Sequence, residues 1–202
     1  MSSHVGPDGC VIFYKQNKFQ INNLHCENIC INESNHAQVF VILELRHLVS
    51  GKLITVVALH LKSKVQNSER RSEQTAYILQ ILKRHLNTEK EIEDRSIIIC
   101  GDFNGEPFEP FYNQVINDKS LKLDDSYVNC VDSESKNRLP STFKIREPHG
   151  LISRLIDYIF YTSKSLKLTQ YLKLPDLGEI EALPNLSYPS DHLSLVCDFE
   201  II

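Results

Sequence analysis

Tryptophan is absent from the 202-residue chain, no low-complexity tract interrupts it, and nowhere do about 18 apolar residues run on without a break. The first residues, Met1-Ser2-Ser3-His4-Val5-Gly6-Pro7, hold no apolar core of signal-peptide length. The expectation is a cytoplasmic, intracellular protein with no membrane partner, a mitochondrial or nuclear pool staying open. An excess of positive charge is missing too: 22 Lys and Arg against 26 Asp and Glu leave a net charge of -4. Bulk charge therefore gives no reason to expect a nucleic-acid or membrane surface as partner. Cys10, Cys26, Cys30, Cys100, Cys130 and Cys197 are mostly far apart and read as reduced thiols rather than a disulfide framework. His25-Cys26, Cys30 and His36 form one local cluster, but without a familiar zinc spacing. No obligate protein partner is readable.

What is present is enough chain to bury a sizeable core, with no internal repeat and no linker, so residues 1–202 read as a single domain. Val11-Ile12-Phe13-Tyr14 and Phe19-Gln20-Ile21 predict an opening hairpin, followed by a polar loop over 22–36. Apolar, β-branched runs over 39–45 and 53–59 predict a second hairpin ending at His60. Thr75, Ile78, Leu79, Leu82 and Leu86 share a helical face, so a helix is expected over 67–86, capped by Asn67 or Ser68. Ile97-Ile98-Ile99-Cys100 reads as a buried strand, 111–116 as a short helix and 121–140 as a long loop. Strands are expected over 155–161, 165–174 and 193–202. The order implies a mixed α/β domain.

The candidate chemistry sits at strand ends. Gly101-Asp102-Phe103-Asn104 follows the isoleucine run, where a carboxylate and an amide can hold a phosphate, a water or a hard cation. Taken alone, Asp-x-Asn after a strand is an ordinary turn. His60 ends its strand and opens His60-Leu61-Lys62-Ser63-Lys64, and residues 62–71 hold Lys62, Lys64, Arg70 and Arg71 against Glu69 alone. Arginines in a helix's first turn oppose the macrodipole, so they either point into solvent or face an anion. Asp157 shares a strand face with Leu155, Ile159 and Tyr161, and burying a carboxylate there requires a cation, a donor or a histidine. Asp191-His192 enters the closing strand from a turn, and a carboxylate such as Asp157 would orient that imidazole and raise its pKa.

His60-Leu61-Lys62, Cys100-Gly101-Asp102-Phe103-Asn104, Asp157-Tyr158-Ile159-Phe160 and Ser190-Asp191-His192 occur in that order. With Asp8-Gly9-Cys10, Ser141-Thr142-Phe143-Lys144-Ile145-Arg146 and the run from Tyr188 to Phe199, the chain resembles the exonuclease/endonuclease/phosphatase superfamily, whose fold is that of deoxyribonuclease I. Within it the motifs are most similar to the nocturnin-like group, related to carbon-catabolite-repressor type deadenylases. The resemblance implies a four-layer sandwich of two mixed sheets flanked by helices, here incomplete at the N-terminus. It implies a catalytic set of His60, Asp102, Asn104, Asp157, Asp191 and His192. Asp102 and Asn104 would position the attacking water and the phosphate, His60 and His192 would polarise the phosphoryl oxygens, and Asp157 would orient His192 or approach the metal. Lys62, Lys64, Phe103, Lys144 and Arg146 would bind substrate. The implied cofactor is Mg2+, whose principal Glu ligand belongs to an opening segment that no residue of this chain matches; Asp157 and Asp102 would assist.

Two local departures accompany this resemblance. Lys64 stands where the group carries Arg, which loses a bidentate phosphate fork. Ala37-Gln38-Val39 matches a stretch of Asn-Gln-Val, with Asn35 nearby. The implied activity is hydrolysis of the 2'-phosphate of NADP(H). The alternatives are a 3'-exoribonuclease acting on the 3' end of poly(A) RNA, and a catalytically inactive fragment without the metal-binding Glu. A poly(A) site calls for a wide basic surface with aromatic platforms, so the missing tryptophan and the merely local basic cluster favour the small molecule.

Overall fold

Period-two alternation within three strands decides which residues reach the core and which reach the open end of the sheet. The computed structural model describes residues 9–29, 38–86, 95–179 and 182–202. Among them are strands β1 (Phe19–Ile29), β2 (Gln38–His47), β3 (Leu53–His60), β4 (Ser96–Asp102), β5 (Leu123–Asp125), β6 (Thr142–Arg146), β7 (Gly150–Arg154), β8 (Asp157–Thr162), β9 (Leu166–Tyr171) and β10 (Cys197–Ile201). Helix α1 is Ser68–His85, entered through a 3-10 turn at Val65–Asn67, and helix α2 is Pro110–Ile116. The main sheet runs β1-β2-β3-β4-β8-β5, with β10-β9 and β6-β7 as separate pairs. Only β3 and β4 pair in parallel, because α1 carries the chain back between them.

On the helix side, Val57, Leu59 and Leu61 line up with Ile97, Ile99 and Phe103 and with Tyr158 and Phe160, all buried. They pack against Ile78, Leu79 and Leu82 of α1 and Phe111 and Val115 of α2. Phe103 is the hub, with Phe111, Tyr158 and Phe160 all within about 5.4 Å, centroid to centroid. On the other side Ile159 joins Tyr127, Cys130, Leu139 and Leu174 with Tyr171, Leu193, Leu195 and Cys197 in a second cluster. The chain is thus a mixed α/β protein with helices on one sheet face and a smaller β layer on the other. No helix among the described residues is long and apolar enough to cross a membrane.

Several elements differ from the sequence expectation. The opening hairpin does not form: residues 11–14 join no strand, and Phe19 begins an eleven-residue edge strand that pairs with β2. That strand is exposed along most of its length, so it needs no apolar run and its polar sequence reads as loop. The region 121–140 contains the short β5, which is held by Leu123 and Asp125 pairing with β8. A β6-β7 hairpin forms over 142–154. Asp157 opens β8 instead of lying inside it, the Ile156 and Asp157 N–H groups going to the Ser141 hydroxyl rather than to a neighbouring strand. Residues 193–196 stay outside β10. Asp8, Cys30, Asn35, His36 and Ala37 lie outside the described residues.

The turn out of β4 depends on one glycine. Gly101 has φ +140°, and a Cβ there would sit 2.0 Å from the Leu59 carbonyl oxygen of the neighbouring strand. Gly101→Ala is expected to cost about 3 kcal/mol or more, since both the φ and the strand spacing would have to yield. Thermal denaturation checks this against Gly178→Ala, where nothing lies within 4 Å and little change is expected.

Candidate active site

Strand register sets three titratable side chains in a row. His60 pairs with Asp102 across β3 and β4, and Asp102 pairs with Asp157 across β4 and β8. All three follow the alternation that faces away from the helices, at the ends where β3 and β4 stop and β8 begins. His60 Nε2 lies 3.6 Å from Asp102 Oδ2, and His192 Nε2 lies 4.0 Å from the same oxygen. His192 Nδ1 reaches both Asp157 oxygens, at 3.1 and 3.0 Å. His192 comes from the loop before β10 and is held by a lone bridge to Thr142, with the flanking Leu193 N–H on the Ser141 carbonyl at 2.7 Å. The Ser190 hydroxyl accepts the His192 N–H at 3.1 Å.

Each carboxylate is fixed by donors. Asp102 accepts the Asn104 backbone N–H at 2.7 Å and its side-chain amide at 3.1 Å, while that amide also donates to the Leu61 carbonyl at 3.0 Å. Asn104 adopts φ +52°, which Asn tolerates better than most residues. Asp157 accepts the Ser141 hydroxyl at 2.6 Å, and Ser141 in turn accepts the N–H groups of Ile156 and Asp157 at 3.1 Å. Fully buried Ser141 is therefore a buttress that sequence reading missed: its partners are 15 and 16 residues away, and no local pattern announces them.

The electrostatics follow from this crowding. Burial, then the neighbouring Asp157 charge, pushes the Asp102 carboxyl up to about 6, against the opposing pull of the Asn104 N–H and the two imidazoles. The hydrogen bond that His192 donates to the Asp157 carboxylate raises the imidazole above its ordinary value despite half-burial. Asp191 faces elsewhere, its carboxylate bound to Lys144 Nζ at 2.8 Å and held below the usual range by that ammonium.

Two cavities flank the row. One, of about 240 Å³, is bounded by Asp102, Asp157, Cys100, Ile159, Leu193 and Leu195. The other, of about 230 Å³, meets the site at Asn104 and carries Lys64, Lys144, Arg146 and Arg154 around Ile152 and Ile156. Three predicted substrate-binding residues thus meet in one basic pocket, joined by Arg154, which had no motif to mark it. Lys62 is half-buried and does not line this pocket, its backbone being bound to Gln74 and Arg71. Phe103 is a correction: it is wholly buried in the aromatic core, on the sheet face opposite Asp102, and cannot touch a substrate. A larger cleft of about 660 Å³ between α1 and α2, lined by the Lys83–Asp118 pair, lies away from these groups.

Ligand atoms of Asp102, Asp157 and His192 lie within 4.8 Å of one another. Adjacent carboxylates, one of them with a raised pKa, suit a hard divalent cation: Asp102 and Asp157 would hold it and it would offset their repulsion. The sequence cluster His25, Cys26, Cys30 and His36 lies partly outside the described residues.

The sequence matches the Endonuclease/Exonuclease/phosphatase family over residues 3–192. It is 34% identical over 219 residues to Nocturnin of Drosophila melanogaster, covering 98% of this chain and 33% of that protein. Against the CCR4-Not complex 3'-5'-exoribonuclease subunit Ccr4 of Kluyveromyces lactis it is 27% identical, covering 96% of this chain and 29% of that one. Its fold is similar to that of the human Nocturnin catalytic domain solved with a bound sulfate anion. The TM-score is 0.77 at 31% identity, over 98% of this chain and 65% of that one. The chain therefore spans about a third of the length of these curated relatives.

The raised Asp102 and His192 pKa values have the same sign in their effect on stability. Each group binds its proton more tightly in the folded state, so stability falls as pH rises, from about 4 to about 6 for Asp102 and from about 6.5 upward for His192. Asp102→Asn is expected to raise the melting temperature at about pH 7.5 by several degrees and to flatten this dependence. Thermal melts of both proteins across that range check it.

Proposed function

The chain belongs to the endonuclease/exonuclease/phosphatase family, and from that membership and the site geometry we propose that residues 1–202 form one domain that hydrolyses phosphoric esters. The reading commits to the 2'-phosphate of NADP(H) as substrate and Mg2+ as the cation. The observation that carries it is His192, held by Asp157 through Nδ1 while Nε2 turns toward Asp102, beside a basic pocket meeting the site at Asn104.

Phosphoester hydrolysis requires neutralised phosphoryl oxygens and a water placed in line. His192, kept protonated by Asp157, donates from Nε2 to a phosphoryl oxygen, and His60 approaches from the other side of Asp102. Asp102, ionised above its raised pKa of about 6 and with both oxygens bound by Asn104, takes a proton from the attacking water. Asn104 spans both duties, since its amide holds Asp102 and its side chain lines the pocket. Lys64, Lys144, Arg146 and Arg154 hold the remaining phosphates, with Asp191 orienting Lys144. Asp102 and Asp157 would hold a divalent cation, which would supply further neutralisation of the developing charge.

The likeness to Ccr4 supports a second reading, shortening of poly(A) from its 3' end. The pocket favours the dinucleotide: it is small and ringed by cations, and neither exposed Phe13 nor exposed Phe108 lines it as a stacking platform.

With Mg2+ present, the 202-residue chain is expected to release phosphate from NADP. His192→Ala should lower that turnover by about a hundredfold or more. Phosphate-release kinetics on NADP, run beside labelled poly(A), check this. Turnover indifferent to His192→Ala contradicts the mechanism, poly(A) shortening without NADP turnover reverses the substrate order, and a folded chain without either activity supports an inactive fragment.

A further inference from the structure

Arg71 is the least expected side chain in the molecule. It lies in the second half of α1's first turns, yet it is fully buried, and the anion it faces is the protein's own Glu109. Nε and Nη2 of Arg71 both donate to Glu109 Oε2, at 2.9 and 2.6 Å. The remaining donors go to the loop after β3: Nη1 to the carbonyls of Lys62 and Lys64 at 3.0 and 2.8 Å, and Nη2 to that of Val65 at 3.5 Å. Within this loop Lys64 adopts φ +78° with ψ 139°, a region that residues with a side chain rarely occupy. Such a conformation costs free energy and persists only where its surroundings impose it.

Glu109 extends the clamp to the loop after β4. Its second oxygen accepts the Glu106 N–H at 3.2 Å, and Gly105 passes so close that a Cβ would lie 2.9 Å from Arg71 Nε and 3.0 Å from Glu109 Oε2. Asn104, next in that loop, reaches back to the Leu61 carbonyl at 3.0 Å. One buried ion pair therefore fastens together the two loops that carry Lys64 and Asn104, which share the basic pocket.

Stability gives a weak reason for such a pair, because apolar side chains of similar volume commonly serve as well or better in a core. What apolar side chains cannot supply is three carbonyl anchors on a strained loop. We propose that Arg71, fixed by Glu109, is a positioning residue for phosphate: it holds Lys64 in its left-handed conformation on the wall of the pocket and registers that wall against Asn104. The proposal rests on the reading of this pocket as the substrate-phosphate site.

The test uses the whole 202-residue chain and inorganic phosphate as the probe, titrated calorimetrically at low salt. Removing Arg71 alone would strand a buried carboxylate, so the pair is replaced together, Arg71→Met with Glu109→Leu. Arg71→Lys serves as a second variant that keeps the charge and loses the fork. Each is made with Lys64 present and in a Lys64→Ala background. Phosphate affinity is expected to fall about tenfold when Lys64 is present and less than about twofold when it is not. Amide exchange should rise over residues 62–66 and 104–106 while the central sheet keeps its protection. Equal weakening in both backgrounds, or unchanged affinity with both loops still protected, overturns the positioning role alone. A wild-type chain with no affinity for phosphate overturns the pocket reading and takes the positioning role with it.

Discussion

Two carboxylates, Asp102 and Asp157, stand opposite one another on adjacent antiparallel strands, facing the same side. Like charges in that arrangement repel, and burial strengthens the repulsion. The surroundings of this pair read as responses to it. Asn104 turns through a left-handed conformation and gives Asp102 two donors, Ser141 gives Asp157 a hydroxyl, and His192 brings its imidazole against both Asp157 oxygens. His60 closes the row from β3. Burial first and the Asp157 charge second still hold the Asp102 carboxyl raised to about 6.

The scaffold produces this arrangement by alternation. Side chains of β4 and the residue after it that face the helices end in Phe103, and those that face away end in Asp102, so consecutive positions deliver a core aromatic and the candidate carboxylate. The aromatic cluster around Phe103 and Tyr158 stiffens the helix side of the sheet end. The Tyr158 hydroxyl donates to the Gly105 carbonyl at 2.9 Å, which continues that stiffness into the loop bearing Asn104. Arg71 and Glu109 do the same for the loop bearing Lys64, so the two pocket loops that carry Asn104 and Lys64 hang on buried groups.

Much of this was legible in the sequence. The isoleucine run, the face of α1 and the apolar runs of β2 and β3 carry their own periodicity, because they are buried. His60, Asp102, Asn104, Asp157 and His192 were legible as a set through their order along the chain; strand register aligns His60, Asp102 and Asp157, and loops bring Asn104 and His192 to them. Phe103 was assigned to the substrate through the resemblance, whereas strand alternation sends it to the face opposite Asp102. Arg154 had no signal, and the partners of Ser141 and Arg71 could not be named for another reason: the fold brings them near, Ile156 lying 15 residues from Ser141 and Glu109 lying 38 from Arg71. β1 escaped notice because an exposed edge strand needs no hydrophobic signature.

The central claim is that Asp157 holds His192 as a proton-bearing group beside Asp102. Nitrogen-15 NMR of the His192 side chain through a pH titration measures this directly, in the wild type and in Asp157→Asn. The account predicts an imidazole that titrates above the ordinary histidine range in the wild type and returns toward it in Asp157→Asn. A His192 that titrates as a free imidazole in both proteins would contradict it.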